Sequence, residues 1–168
     1  FIDVKKAYLN AVATRDIYIQ LPDEDYDPGM CGKLKKAMYG NRDGAQNWEE
    51  EYMAFMKDLG FISGSSTPCI FHHPGRQLRA VVHGDDFTIL GYEEELDWFR
   101  NRIQKKYEVK IAARLGPEPH DDKEVRVLNR IVSWNNEGIR YEADQRHAEI
   151  IIRDLGLDQS NGVVTPCE

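Results

Sequence analysis

The sequence predicts an α+β fold, an antiparallel sheet with helices on one face, and three observations predict it. Short apolar runs of strand character alternate with longer stretches whose apolar residues recur at helical spacing. The links between neighbouring strands are short and rich in Gly, Asp and Asn, which joins them as hairpins rather than as regular crossovers. With 168 residues, 41% hydrophobic and 30% charged, the chain is long enough for one soluble domain with a substantial core.

Residues 1 to 4 read as a strand, and Ile17-Tyr18-Ile19-Gln20-Leu21 as a second, ended by Pro22, which cannot donate to a ladder. Residues 22 to 32, rich in Asp, Pro and Gly, form a loop. From 44 to 59, Ala45, Trp48, Tyr52, Phe55, Met56 and Leu59 recur at helical steps along one amphipathic face, and Gly60 caps the helix. Residues 69 to 73 and 77 to 83 read as strands. The second leads into Val81-Val82-His83-Gly84-Asp85-Asp86-Phe87-Thr88-Ile89-Leu90, a hairpin with acids at its tip. Gly tolerates positive φ there, and Asp tolerates it better than most residues.

A second amphipathic helix spans 93 to 107, with Leu96, Phe99, Ile103 and Tyr107 on one face and acids in its first turn, where they favour the helix dipole. Residues 116 to 122 are a breaker-rich loop. Residues 125 to 134 and 139 to 141 suggest a hairpin through Asn135-Asn136-Glu137-Gly138, and a last helix runs from 144 to 155 before Gly156.

No apolar run approaches the roughly 18 residues that span a bilayer, and no signal-peptide pattern is present. The net charge of −7 counts against a nucleic-acid partner, which calls for a basic footprint. Two local basic clusters, Lys33, Lys35, Lys36 and Arg42, then Arg100, Arg102, Lys105, Lys106 and Lys110, either meet phosphates or form solvated faces. Cys31, Cys69 and Cys167 lack metal-ligand or disulfide spacing and read as reduced thiols in an intracellular compartment. His72, His73, His83, His120 and His147 read as structural or surface residues. The chain opens on Phe1 inside a strand and not on Met, so a piece of a longer polyprotein is expected.

The acids carry the chemistry. Asp3 ends the apolar opening Phe1-Ile2, and Asp85 and Asp86 tip the hairpin, so neighbouring strands present three carboxylates suited to Mg²⁺. Read without further context, Asp85-Asp86 is equally a solvated turn and Asp3 a helix N-cap.

Asp3-Val4-Lys5-Lys6-Ala7-Tyr8-Leu9, then Lys33-Leu34-Lys35-Lys36-Ala37-Met38-Tyr39-Gly40 with Trp48, then Leu59-Gly60-Phe61 and Thr67-Pro68-Cys69-Ile70-Phe71, then the Asp-Asp hairpin, occur in one order. They are followed by Gly138-Ile139-Arg140-Tyr141, Asp154-Leu155-Gly156-Leu157 and Val164-Thr165-Pro166. This ordered set resembles the reverse transcriptase of copia-type long-terminal-repeat retrotransposons over nearly the whole chain. The resemblance implies a ferredoxin-like polymerase palm with partial fingers over residues 1 to 168, truncated at the N-terminal fingers and lacking thumb and RNase H. It implies an RNA-directed DNA polymerase domain of a Pol polyprotein, partnered by an RNA or DNA template with primer, deoxynucleoside triphosphates and the rest of the polyprotein. The corresponding location is intracellular, in cytoplasmic virus-like particles or the nucleus, with no membrane.

By the same resemblance, two Mg²⁺ ions, or Mn²⁺ in their place, lie about 4 Å apart. Asp3 and Asp85 bridge them, the Val4 carbonyl assists, and Asp86 completes the acidic set. Strand alternation sends Asp85 and Asp86 to different sides, so only one shares a focus with Asp3, and Asp85 is the one expected. Tyr8 takes the place of the aromatic beneath the incoming sugar that rejects a 2′ hydroxyl; otherwise it is a core aromatic. Lys110, in the turn after the second long helix, is the candidate general acid for pyrophosphate release.

Departures from the family pattern also stand out. The family commonly reads Leu-Tyr-Gly-Leu-Lys-Gln-Ala-Pro-Arg-x-Trp, against Met38-Tyr39-Gly40-Asn41-Arg42-Asp43-Gly44-Ala45-Gln46-Asn47-Trp48 here. Asp43 replaces the glutamine at the nucleotide and repels a triphosphate unless a metal or Arg42 intervenes. His83-Gly84 replaces the usual aromatic-Val before Asp-Asp. These changes motivate an alternative, a catalytically silent remnant or domesticated fragment that binds nucleic acid or a protein partner. A third reading, a viral RNA-dependent RNA polymerase palm suggested by Gly84-Asp85-Asp86, is opposed by Tyr8.

Overall fold

The computed structural model describes residues 1–142 and 145–162. Chain length predicts one domain, whereas the packing separates two compact units, Phe1–Ala112 and Ala113–Glu168. The first contains strands β1 (Ile2–Val4), β2 (Tyr18–Ile19), β3 (Gly32–Lys33), β4 (Ile62–Ser63), β5 (Ile70–His73), β6 (Leu78–His83), β7 (Asp86–Leu90) and β8 (Val109–Ile111). Helices α1 (Gly44–Asp58) and α2 (Glu93–Lys106) complete it, with a short 3₁₀ turn at Ala7–Asn10.

Six strands form one sheet in the order β4-β5-β6-β7-β1-β8, every neighbouring pair antiparallel. β2 and β3 pair separately. The expected mixed fold with antiparallel sheets is therefore present. In β6 the burial alternates strictly, Leu78, Ala80 and Val82 buried against Arg79, Val81 and His83 exposed. Such alternation marks a sheet with one face in the core. Trp48, Tyr52, Phe55 and Met56 of α1 and Phe99 and Ile103 of α2 join Ile2, Val4, Leu78, Ala80, Val82 and Phe87 in a single apolar cluster. Removing each large side chain of this cluster from water stabilises the fold by about 1.5–3 kcal/mol.

The ends of the helices follow their sequences. Gly60, at φ +94, closes α1: its N–H donates to the Lys57 carbonyl at 2.9 Å and that of Phe61 to Met56 at 3.0 Å, the paired bonds of a Schellman motif. The buried side chains of Met56 and Phe61 supply the apolar contact that accompanies it. Helix α2 carries Glu93, Glu94 and Glu95 in its first turn and Lys105 and Lys106 in its last, matching the macrodipole at both ends.

The second unit has a three-stranded antiparallel sheet, ordered β11-β10-β9, from β9 (Glu124–Val127), β10 (Arg130–Asn135) and β11 (Gly138–Glu142), followed by α3 (Gln145–Asp154). The strand expected over 125 to 134 is two strands. Leu128 and Asn129, both at positive φ (48° and 62°), form the two-residue turn between them, with Val127 paired to Arg130. The hairpin expected through 135 to 138 is present. Asp144, Val164-Thr165-Pro166 and Cys167 lie outside the described residues. No helix among the described residues is long and apolar enough to cross a membrane.

Candidate active site

Strand β1 is only three residues long, and its outer two, Ile2 and Val4, are buried in the core. Alternation therefore turns Asp3 to the opposite face of the sheet. The β6–β7 hairpin turns through Gly84 and Asp85, with His83 paired to Asp86. Gly84 has φ +61 while Asp85 is not among the positive-φ residues, the pattern of a type II′ turn with glycine first. This choice of turn residues sets the register. Asp86 becomes the first residue of β7, and the buried Phe87 beside it sends Asp86 to the same face as Asp3.

Asp3 and Asp86 are direct cross-strand partners in the β1–β7 ladder. On the other side of β1, Asp3 pairs with Lys110 of β8. His83, Asp86, Asp3 and Lys110 consequently form one transverse row over four strands, on the face away from the helices. Two expectations are corrected. Asp86, and not Asp85, stands opposite Asp3, because the tight turn consumes Gly84 and Asp85. Lys110 lies within a strand, not in a turn, because the chain re-enters the sheet at Val109 directly after α2.

Asp85 remains at the exposed tip, and its carbonyl accepts the Val4 N–H at 2.9 Å. Val4 thus contributes its backbone to the turn from a fully buried position. Burial pushes the Asp86 carboxyl above the usual carboxylate range, the negative charges of Asp85 and Asp3 push the same way, and His83 opposes them. The charges of Asp85 and Asp3 lie close enough to Asp86 to disfavour its ionisation, which is an environment a cation relieves. Among the described residues, no group of three or more His, Cys, Asp or Glu side chains is arranged to hold a metal ion. The Asp3–Asp86 pair fits Mg²⁺ in its donor chemistry, since that ion takes one or two carboxylates and completes its shell with water and substrate phosphates.

Tyr8 lies in the Ala7–Asn10 turn, half-buried at the edge of the core. Its ring stacks on Tyr39 at a centroid distance of 4.3 Å and an interplanar angle of 9°. Gly44, at the start of α1, allows this placement: a Cβ there would lie 3.1 Å from the Tyr8 ring and 2.7 Å from the Met38 carbonyl oxygen. Asp43 immediately precedes α1, and its carboxylate is ion-paired with Arg15, not with Arg42. Nothing in the local sequence marks Arg15, which lies 28 residues away along the chain.

Part of each basic cluster is engaged locally. Lys33 pairs with Asp16 at 2.7 Å, Lys36 donates to the Asn10 carbonyl at 3.0 Å, and Lys106 pairs with Glu51 at 2.9 Å. Arg100 reaches Asp97 at 3.5 Å. Sequence reasoning also left His83 outside the site, although its alternation with the apolar Val82 signals its face.

The profile of the family described as reverse transcriptase (RNA-dependent DNA polymerase) matches residues 1–168. A retrovirus-related Pol polyprotein from transposon TNT 1-94 of Nicotiana tabacum is 26% identical over 173 residues, covering 98% of this chain and 12% of that polyprotein. Those from transposons RE1 and RE2 of Arabidopsis thaliana are 30% and 29% identical over 101 residues, each covering 56% of this chain and 7% of the polyprotein. The chain thus spans a small fraction of the relatives it matches. No solved structure gives a significant match. The copia-type resemblance read from the ordered motifs is borne out, and the chain belongs to the reverse transcriptase (RNA-dependent DNA polymerase) family.

Proposed function

We propose that this chain is the palm-centred catalytic piece of a copia-type retrotransposon reverse transcriptase, extending a primer 3′ hydroxyl with deoxynucleotides on an RNA or DNA template. The observation that carries the reading is the direct pairing of Asp3 with Asp86, flanked by Lys110, inside a chain that matches the family throughout. Asp3 and Asp86 would hold divalent magnesium, with Asp85 adding negative charge from the tip. Bound there, two such ions supply a more acidic primer hydroxyl and charge neutralisation on the triphosphate.

The chain's own residues do the rest. The short ladders of β1 fix both carboxylates on backbone that is buried on its other face, so little reorganisation accompanies substrate binding. Lys110, one strand over, supplies a cation and a transferable proton at its Nζ. Tyr8, held by Tyr39, supplies a flat wall against which a ribose 2′ hydroxyl is excluded. The rest of a Pol polyprotein supplies the basic nucleic-acid surface that a net charge of −7 lacks. The expected setting is a cytoplasmic particle or the nucleus.

The test is Mg²⁺-dependent primer extension on an RNA template, with the chain carried in an intact Pol polyprotein and compared with Asp3→Asn and Asp86→Asn. Loss of extension in both variants is expected. Wild-type extension in either removes that carboxylate from the site.

A further inference from the structure

The turn that presents Asp85 and Asp86 is tied down at two consecutive carbonyls. The Val4 N–H donates to Asp85 at 2.9 Å, continuing the sheet ladder. The other tie comes from outside the sheet: the Trp48 indole N–H, on α1, donates to the Gly84 carbonyl at 2.7 Å. Trp48 is 1% exposed, and its ring meets Tyr52 and Tyr107 edge-on at centroid distances of 5.6 and 5.3 Å. Aromatic neighbours on two sides fix the direction in which the N–H points.

An indole nitrogen only donates, and a buried donor requires an acceptor. The acceptor here belongs to the peptide that joins Gly84 to Asp85. Because that peptide is planar, fixing its oxygen fixes the Asp85 nitrogen and the plane from which both acids depart. A bicyclic ring of the same outline without the N–H would fill the same apolar space but lack this constraint, so the donor and the shape are separable.

We propose that Trp48 is a positioning residue for the acidic row: acting through the Gly84 carbonyl, its N–H locks the hairpin turn so that Asp86 stands opposite Asp3. This rests on the functional reading above. The relationship links the α1 core to the site, with the buried end of the indole in the packing and its polar edge on the turn. Supports of this kind around metal-binding carboxylates are typically worth about 10- to 100-fold in metal affinity.

The test uses two replacements of Trp48 in the full chain: benzothienylalanine, which keeps the bicyclic ring and deletes the donor, and Trp48→Phe, which deletes the donor together with part of the ring. Amide NMR signals of Gly84, Asp85 and Asp86 report the turn, and their broadening by Mn²⁺ reports affinity. Both replacements are expected to keep the wild-type far-UV circular dichroism, to shift those three amide signals, and to weaken Mn²⁺ binding by about tenfold. Unchanged amide signals in the benzothienylalanine protein overturn the proposal, as does unchanged Mn²⁺ affinity. Asp86→Asn, measured in parallel, separates the two ideas. If it binds Mn²⁺ like wild type, the acid-pair reading fails, and the amide signals alone then decide whether Trp48 sets the turn.

Discussion

Lys110 stands directly opposite Asp3 across the β1–β8 pair, on the side of β1 away from Asp86. The acid at the centre of the row therefore has an acid on one flank and a cation on the other. Under the proposed function this cation would supply the proton that a leaving pyrophosphate needs. Lys110→Met is expected to slow single-nucleotide incorporation by about 10²- to 10⁴-fold, the usual worth of a general acid. Lys110→Arg keeps the charge but gives up its proton far less readily, so nucleotide KM recovers while turnover does not. Wild-type turnover in the Met variant rules the role out.

Asp86 carries an expectation about pH. Burial, followed by the charges of Asp85 and Asp3, raises its carboxyl above the ordinary value of 3.8. A raised pKa means that the folded chain holds this proton more tightly than the unfolded chain does. The resulting stability is complete below the unfolded value and is lost as pH rises through the folded one. At pH 7 the ionised carboxylate thus weighs against folding. Asp86→Asn is expected to raise Tm at pH 7, and the gain should close as pH falls below about 4. Mg²⁺ should raise Tm of the wild type and leave the Asn variant unmoved. Tm curves that run parallel across this range contradict the electrostatic account.

The row was partly legible in the sequence. Asp3 between Ile2 and Val4, and Asp86 before Phe87, obey a period of two that fixes their face once the turn is known. The turn itself was ambiguous, because Gly84-Asp85 and Asp85-Asp86 are both plausible tips. A one-residue slip exchanges the faces of every following side chain, so the sequence alone does not decide which acid pairs with Asp3, and the register selects Asp86. Strand β8 is not legible in the sequence, because three residues give too little alternation to separate from the end of a helix. Leu128 hid another turn, since a leucine at φ 48 has no signature among Gly, Asn and Asp turn formers. The helices are legible in the sequence, because Trp48 through Met56 and Phe99 through Ile103 repeat their apolar residues at helical spacing over several turns.

Gly44 is expected to be intolerant of even one methyl group. A Cβ at this position falls 2.7 Å from the Met38 carbonyl oxygen and 3.1 Å from the Tyr8 ring, and backbone cannot move aside as a flexible side chain does. Gly44→Ala should cost about 1–3 kcal/mol, read from the urea midpoint. In primer extension the same variant should incorporate ribonucleotides more readily, since under the proposed function displacing Tyr8 would open the wall against the sugar. Tyr8→Ala should do so more strongly with less loss of stability. Unaltered sugar selection in Tyr8→Ala removes the gate from the mechanism.

The Arg15–Asp43 pair explains how an acid is tolerated where the family commonly has glutamine. Arg15 neutralises Asp43 beside the first turn of α1, so under the proposed function a triphosphate approaching that end would meet a pair and not a bare carboxylate. The Arg15 side chain is 57% exposed and that of Asp43 25%, which keeps the pair within solvent screening. A worth of about 1 kcal/mol follows, or roughly fivefold in binding. Arg15→Ala is expected to raise the nucleotide KM by about that factor with turnover unchanged, and the effect should shrink as salt is added. Asp43→Gln removes the charge that Arg15 offsets, so Arg15→Ala in that background should be silent, as a double-mutant cycle reads directly. An equal rise in KM in both backgrounds means that Arg15 acts on the nucleotide itself and not through Asp43.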